Sequence, residues 1–216
     1  MIFLYTFAII FAISIVSQKT TNNLFSVLYK ITRSERISIF IAAFIFLPGT
    51  FIHEACHLIS ALLLFLPVKK FSIIPSVTST PNGYSIKLGT VTYGKRDPIS
   101  GILVGIAPVL GGIIFFAYLS TVFKYVQGNL LLTIFVAYLS FVVASTMLSS
   151  KQDIVDSVYI IPLLIILFVS ALYFHVEFWN DRLVVEFMSR MNYYLISAFL
   201  VNLGGFGVTK IMSKFI

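Results

Sequence analysis

The stretch Phe51-Ile52-His53-Glu54-Ala55-Cys56-His57-Leu58 lies inside a long apolar run, and its reading decides the fold. His53 and His57 are four positions apart, so a helix carries both imidazoles on one face. Two nitrogen donors at that spacing can hold a metal such as zinc, and the adjacent Glu54 can activate a water. Phe, Ile, Leu, Val and Ala dominate the flanks. A metal-binding helix inside a membrane-spanning segment is therefore the starting expectation.

Outward from this stretch, the apolar run extends from Ile37 to Pro67, longer than one perpendicular crossing requires. Pro48-Gly49 interrupts it, because proline removes a helical donor and glycine tolerates a break. Two arrangements are open: one kinked helix, or a short entering segment followed by a new helix that Thr50 caps. The next region, Val68 to Pro98, changes character. Phe71 to Ile74 and Tyr84 to Tyr93 favour strand, with Pro81-Asn82-Gly83 as the turn between them. A small sheet at the membrane surface or in a protein-lined cavity follows, since open strand edges cannot face lipid. Such an edge can pair with an unfolded stretch of another chain.

The other apolar runs are Met1 to Val16, Ile99 to Leu119, Leu130 to Leu148, Val158 to Phe174 and Tyr194 to Val208. Thr20 to Arg36 is expected as an interfacial amphipathic helix or a loop, and Asp181 to Arg190 as a short surface helix. Gly101-x-x-x-Gly105 and the segment Gly105 to Gly112, which contains Pro108, permit close helix approach. The expected fold is an all-α polytopic bundle of about five or six transmembrane helices with a β insertion at 68–98. No repeat divides residues 1–216, so one membrane domain is expected. Lys19, Lys30, Arg33 and Arg36 compete with Lys69, Lys70, Lys87, Lys95 and Arg96 for the cytoplasmic side, and a break before Thr50 would reconcile them.

Composition supports the membrane reading. Of 216 residues, 59% are hydrophobic and only 11% charged, a balance foreign to soluble domains. The formal charge of +7 is scattered between apolar runs and forms no aromatic-interleaved face for nucleic acid. Anionic lipid headgroups are the expected partner. Cys56 is the single cysteine, which excludes an intrachain disulfide; a small residue filling a helix contact is its expected role.

Two histidines and a glutamate in apolar surroundings each require compensation, and a metal supplies it. Two imidazoles with a carboxylate favour zinc without excluding iron or cobalt. A catalytic zinc usually takes three protein ligands. The expected third is Asp153, with Asp156 and His175 as alternatives. Glu54 is expected to stay off the metal as the general base that takes a proton from attacking water and passes it to the leaving group.

These residues resemble the site-2 protease family of intramembrane zinc metalloproteases. His53-Glu54-Ala55-Cys56-His57 matches that family's histidine-glutamate motif in its apolar context. Ala107-Pro108 within Gly105 to Gly112 is similar to the small-residue and proline segment of its following core helix. Ser149 to Asp153 resembles, more weakly, the segment that supplies a distal aspartate ligand. The likeness covers about residues 37–160 and departs from the pattern in two places. Ser150-Lys151-Gln152-Asp153-Ile154 stands where the family has proline before aspartate-glycine, and a glycine replaces the polar residue after the small-residue segment. No PDZ-like insertion is recognisable. The resemblance implies an integral multi-pass protein of a prokaryotic cell membrane. It also implies a Zn2+-dependent endopeptidase that cleaves transmembrane or membrane-associated protein substrates. The alternatives are a noncatalytic membrane adaptor with a structural or degenerate metal site, and a zinc hydrolase of a lipid-like molecule.

Overall fold

The computed structural model describes residues 2–74, 76–80, 83–87, 89–94, 97–126, 128–147, 165–166, 169–171, 173–174 and 181–215. Five long helices appear among them: α1 Ile2–Thr32, α2 Glu35–Leu63, α3 Pro98–Val126, α4 Leu130–Thr146 and α5 Arg182–Phe215. Between α2 and α3 lie strands β1 Val68–Ser72, β2 Ser76–Thr80, β3 Gly83–Lys87 and β4 Thr90–Tyr93. Segments of α2, α3 and α5 are long and apolar enough to cross a bilayer, and α4 is apolar but shorter at 17 residues. The chain is thus a membrane-associated, predominantly helical protein with a small β insertion after the histidine-bearing helix.

The molecule has an apolar exterior. Phe44, Ile114, Leu131 and Leu183 project outward, whereas Ser17, Thr20, Ser38 and Asn202 are buried. Lipid is the solvent that tolerates the first set, and internal hydrogen bonds satisfy the second. Asn202 is completely enclosed. Its Oδ1 accepts from Ser145 Oγ of α4 at 2.9 Å, and its backbone carbonyl accepts from Thr20 Oγ1 of α1 at 3.3 Å. Thr6 Oγ1 donates to Asn192 Oδ1 at 2.7 Å, and Lys30 Nζ donates to the Ser213 carbonyl at 2.6 Å. These pairs rise together in residue number, so α1 and α5 run parallel, zipped at three levels.

That zipper corrects two sequence expectations. Thr20 to Arg36 is not a separate interfacial helix or loop: α1 continues to Thr32. Asp181 to Arg190 is not a separate surface helix either, because Arg182 opens the single 34-residue α5. In the first case Thr20 and Lys30 bond to α5, and in the second Val184 and Met188 pack into the helix core.

Local signals explain the ends of α2. Arg33, at φ 54°, ends the preceding path, and Ser34 caps α2 by accepting from the Ile37 amide. At the other end Phe65 adopts φ 53°. Leu66 N–H then reaches the Ala61 carbonyl at 2.9 Å and Phe65 N–H the Leu62 carbonyl at 3.0 Å. This is a Schellman closure, sealed by contact of Leu66 with Ala61 and followed by Pro67. Within these limits α2 is continuous through Pro48. The broken arrangement with Thr50 as a cap is therefore absent, and with it the break that would have reconciled the two basic regions.

Close helix contacts gather around the second half of α2. A Cβ on Gly49 would meet the Val142 carbonyl oxygen of α4 at 2.5 Å, and one on Gly111 of α3 would overlap Cys56 Sγ. A Cβ on Gly112 would meet the Met147 side chain at 2.5 Å. Absent side chains thus let α2, α3 and α4 converge.

The insertion is two antiparallel pairs: β1 with β4 and β2 with β3. The expected single strand from Tyr84 to Tyr93 is in fact β3 and β4, parted before Gly89, and the first strand begins at Val68 rather than Phe71. The β1–β4 pair is anchored by Val68 and Tyr93, which pack on Ala61, Leu66 and Val104. Gly94 N–H closes it on the Pro67 carbonyl at 3.0 Å.

Candidate metal centre

Thr50, His53, Glu54 and His57 occupy positions i, i+3, i+4 and i+7 of α2, one continuous stripe. Thr50, His53 and Glu54 are buried, and His57 is half-buried. Across the stripe lie α3 and the approach to β4, and the last turn of α4 packs beside it at Gly49.

The two imidazoles face each other edge to face, with Nε2 to Nε2 at 3.1 Å. Zinc–nitrogen bonds of 2.0–2.1 Å in tetrahedral geometry place two ligand nitrogens about 3.3 Å apart. The pair is therefore set at nearly the separation that one ion demands.

His57 is oriented by α3. Its Nδ1 lies 2.8 Å from the Val104 carbonyl oxygen. A carbonyl can only accept, so Nδ1 carries the hydrogen and Nε2 keeps its lone pair toward His53. That is the tautomer a metal ligand needs, fixed by a partner behind it.

The Val104 carbonyl is available for a reason written in the sequence. In a helix it would accept from the amide of residue 108, and that residue is Pro108, which has no N–H. Proline in α3 thus leaves a carbonyl for a histidine in α2. Sequence reasoning read Pro108 as a packing device and missed Val104. Counting four residues back from the proline would have found the orphaned acceptor.

Glu54 is 7% exposed. Its cover is backbone: a Cβ on Gly89 would lie 2.6 Å from Glu54 Cγ and 2.8 Å from Oε1. Gly89 immediately precedes β4, so the strand that parts there does so over the carboxylate. Cys56 points off the stripe, toward Gly111, and serves the α2–α3 contact.

The third-ligand candidates Asp153, Asp156 and His175 lie outside the described residues. Among the described residues, no group of three or more His, Cys, Asp or Glu side chains could hold a metal. His53 and His57 form a two-nitrogen half-site with a carboxylate neighbour, and two imidazole donors suit zinc. No protein-family model matches the chain, and no curated protein or solved structure matches it.

Proposed function

We propose that the chain is an intramembrane zinc metallopeptidase of the site-2 protease type, hydrolysing peptide bonds of membrane-embedded or membrane-associated proteins. The observation that carries this reading is the pair of imidazole nitrogens 3.1 Å apart, with His57 held from behind by a carbonyl, on a buried helix beside Glu54.

His53 and His57 would hold Zn2+, with Asp153 as the third ligand. The last turn of α4 lies against Gly49, one helical turn before His53. Asp153 follows Met147 by six residues, and an extended chain of that length covers roughly 20 Å. Asp156 is the alternative third ligand. When bound, zinc supplies Lewis-acid polarisation of the scissile carbonyl.

Glu54 takes the proton from the attacking water and delivers it to the leaving amine. Its enclosure excludes bulk water from that transfer. The edge of β4, which leads directly to Gly89, offers main-chain groups for an unwound substrate segment. A substrate helix must open first, because its carbonyls are otherwise bonded within it.

The test is metal content and proteolysis in the purified, full-length chain. Stoichiometric zinc in the wild type and in Glu54→Gln, with loss in His53→Ala, His57→Ala and Asp153→Ala, is the expected pattern. Glu54→Gln should also lower cleavage of a transmembrane substrate by about 10²–10⁴-fold. Biological activity that survives Glu54→Gln would replace the enzyme with a metal-bearing adaptor. Full zinc in Asp153→Ala would move the third ligand to Asp156 or His175.

A further inference from the structure

Most described helical threonines bond back to their own helix, and Thr50, beside the histidines, does not. Thr6, Thr20, Thr133, Thr146 and Thr209 each return the hydroxyl to the carbonyl four residues earlier, at 2.9–3.1 Å. Such back-bonding is the ordinary way for a threonine to satisfy itself in an apolar helix. Thr50 does not do so. It is 5% exposed, its hydroxyl oxygen is sealed from solvent, and it has no hydrogen-bond partner among the described residues.

A buried hydroxyl without a partner is destabilising, so such a group calls for an explanation in what it is built to meet. Thr50 stands one turn before His53 on the stripe it shares with Glu54 and His57. On the neighbouring face, Gly49 admits the last turn of α4, with Thr146 Oγ1 only 2.8 Å from where a Cβ would lie. That threonine bonds its own helix instead, to the Val142 and Val143 carbonyls. Thr50 is left with a buried, unused donor one helical turn before His53.

We propose that Thr50 is a positioning residue of the centre, its hydroxyl donating to the oxygen-donor ligand that completes the coordination begun by His53 and His57. The inference rests on the metallopeptidase reading and adds to it a partner that orients a ligand from outside the coordination sphere. A carboxylate oxygen is a strong acceptor for such a hydroxyl, and one hydrogen bond would both satisfy Thr50 and fix the direction of the oxygen's remaining lone pair.

The experiment compares wild type, Thr50→Val and Thr50→Ser as full-length, detergent-solubilised protein, measuring Zn2+ affinity by chelator competition and thermal stability after metal removal. Valine keeps the shape and deletes the hydroxyl. The expected result is a 10–100-fold weaker Zn2+ affinity in Thr50→Val, with metal-free stability equal to or above wild type, and near-wild-type affinity in Thr50→Ser. A role confined to packing would move metal-free stability and leave affinity alone, and that result overturns the proposal. So does wild-type affinity in a folded Thr50→Val protein whose zinc still depends on His53 and His57. If Thr50→Val fails to fold, Thr50→Ala against Thr50→Ser decides by the same affinity difference. Failure of the wild type to bind Zn2+ would overturn the metallopeptidase reading and this proposal together.

Discussion

Gly89 lies so close over Glu54 that a β-carbon there would come 2.6 Å from Cγ of the glutamate. Backbone alone fits at that point, so β4 starts on top of the carboxylate proposed as the general base. In Gly89→Ala, either the strand lifts or the carboxylate turns, and overpacking of this kind costs about 1–3 kcal/mol. The expected outcome is roughly tenfold or greater loss of peptide cleavage with zinc content unchanged, since neither histidine is touched. Cleavage rates and metal analysis on the same preparation check it. Wild-type cleavage would mean that β4 does not register Glu54.

Pro108 and His57 are coupled through the Val104 carbonyl. Pro108→Ala restores the amide that competes for that oxygen and removes a proline from a helix interior, where it costs about 3 kcal/mol. Stability should therefore hold or rise while Zn2+ affinity falls by about tenfold, the low end of effects seen for partners behind a ligand. Chelator competition and a thermal melt give the two readings. A parallel fall in both would assign Pro108 to packing alone.

Asn202 and Ser145 test the polar seam that joins α5 to α4. The 2.9 Å bond between them is fully enclosed, and hydrogen bonds between membrane helices are worth about 0.6–1.7 kcal/mol by double-mutant cycles. Asn202→Ala and Ser145→Ala should each destabilise, and the double variant should lose less than their sum by about that amount. Unfolding in mixed micelles measures the coupling, and additivity would show the bond to be incidental.

Much of the architecture was legible because it depends on short spacings. The four-residue interval of His53 and His57 fixes a common face on any helix. Apolar length marks α2, α3 and α5 as membrane material, and the strand character of the insertion follows from its composition. Boundaries were harder where polar residues are used between helices. Thr20 to Arg36 reads as an interfacial helix or a loop, yet α1 runs on to Thr32, with Thr20 meeting Asn202 on a parallel neighbour. At Asp181 to Arg190 polarity suggested a surface helix separate from the last span, yet Val184 and Met188 pack into the core and the helix continues.

By itself, the sequence determined which side chains share the stripe of α2 and that this stripe belongs in an apolar medium. It also contained the missing amide at Pro108. Tertiary structure decided what meets the stripe: the Val104 carbonyl, 47 residues from His57, the backbone of Gly89 over Glu54, and the turn of α4 beside Gly49. The reason is physical. A helix repeats every 3.6 residues, so its faces can be counted along the chain. Contacts between distant segments depend on how closely whole helices approach, and here that was set by glycines whose role appears only when a neighbour fills the space.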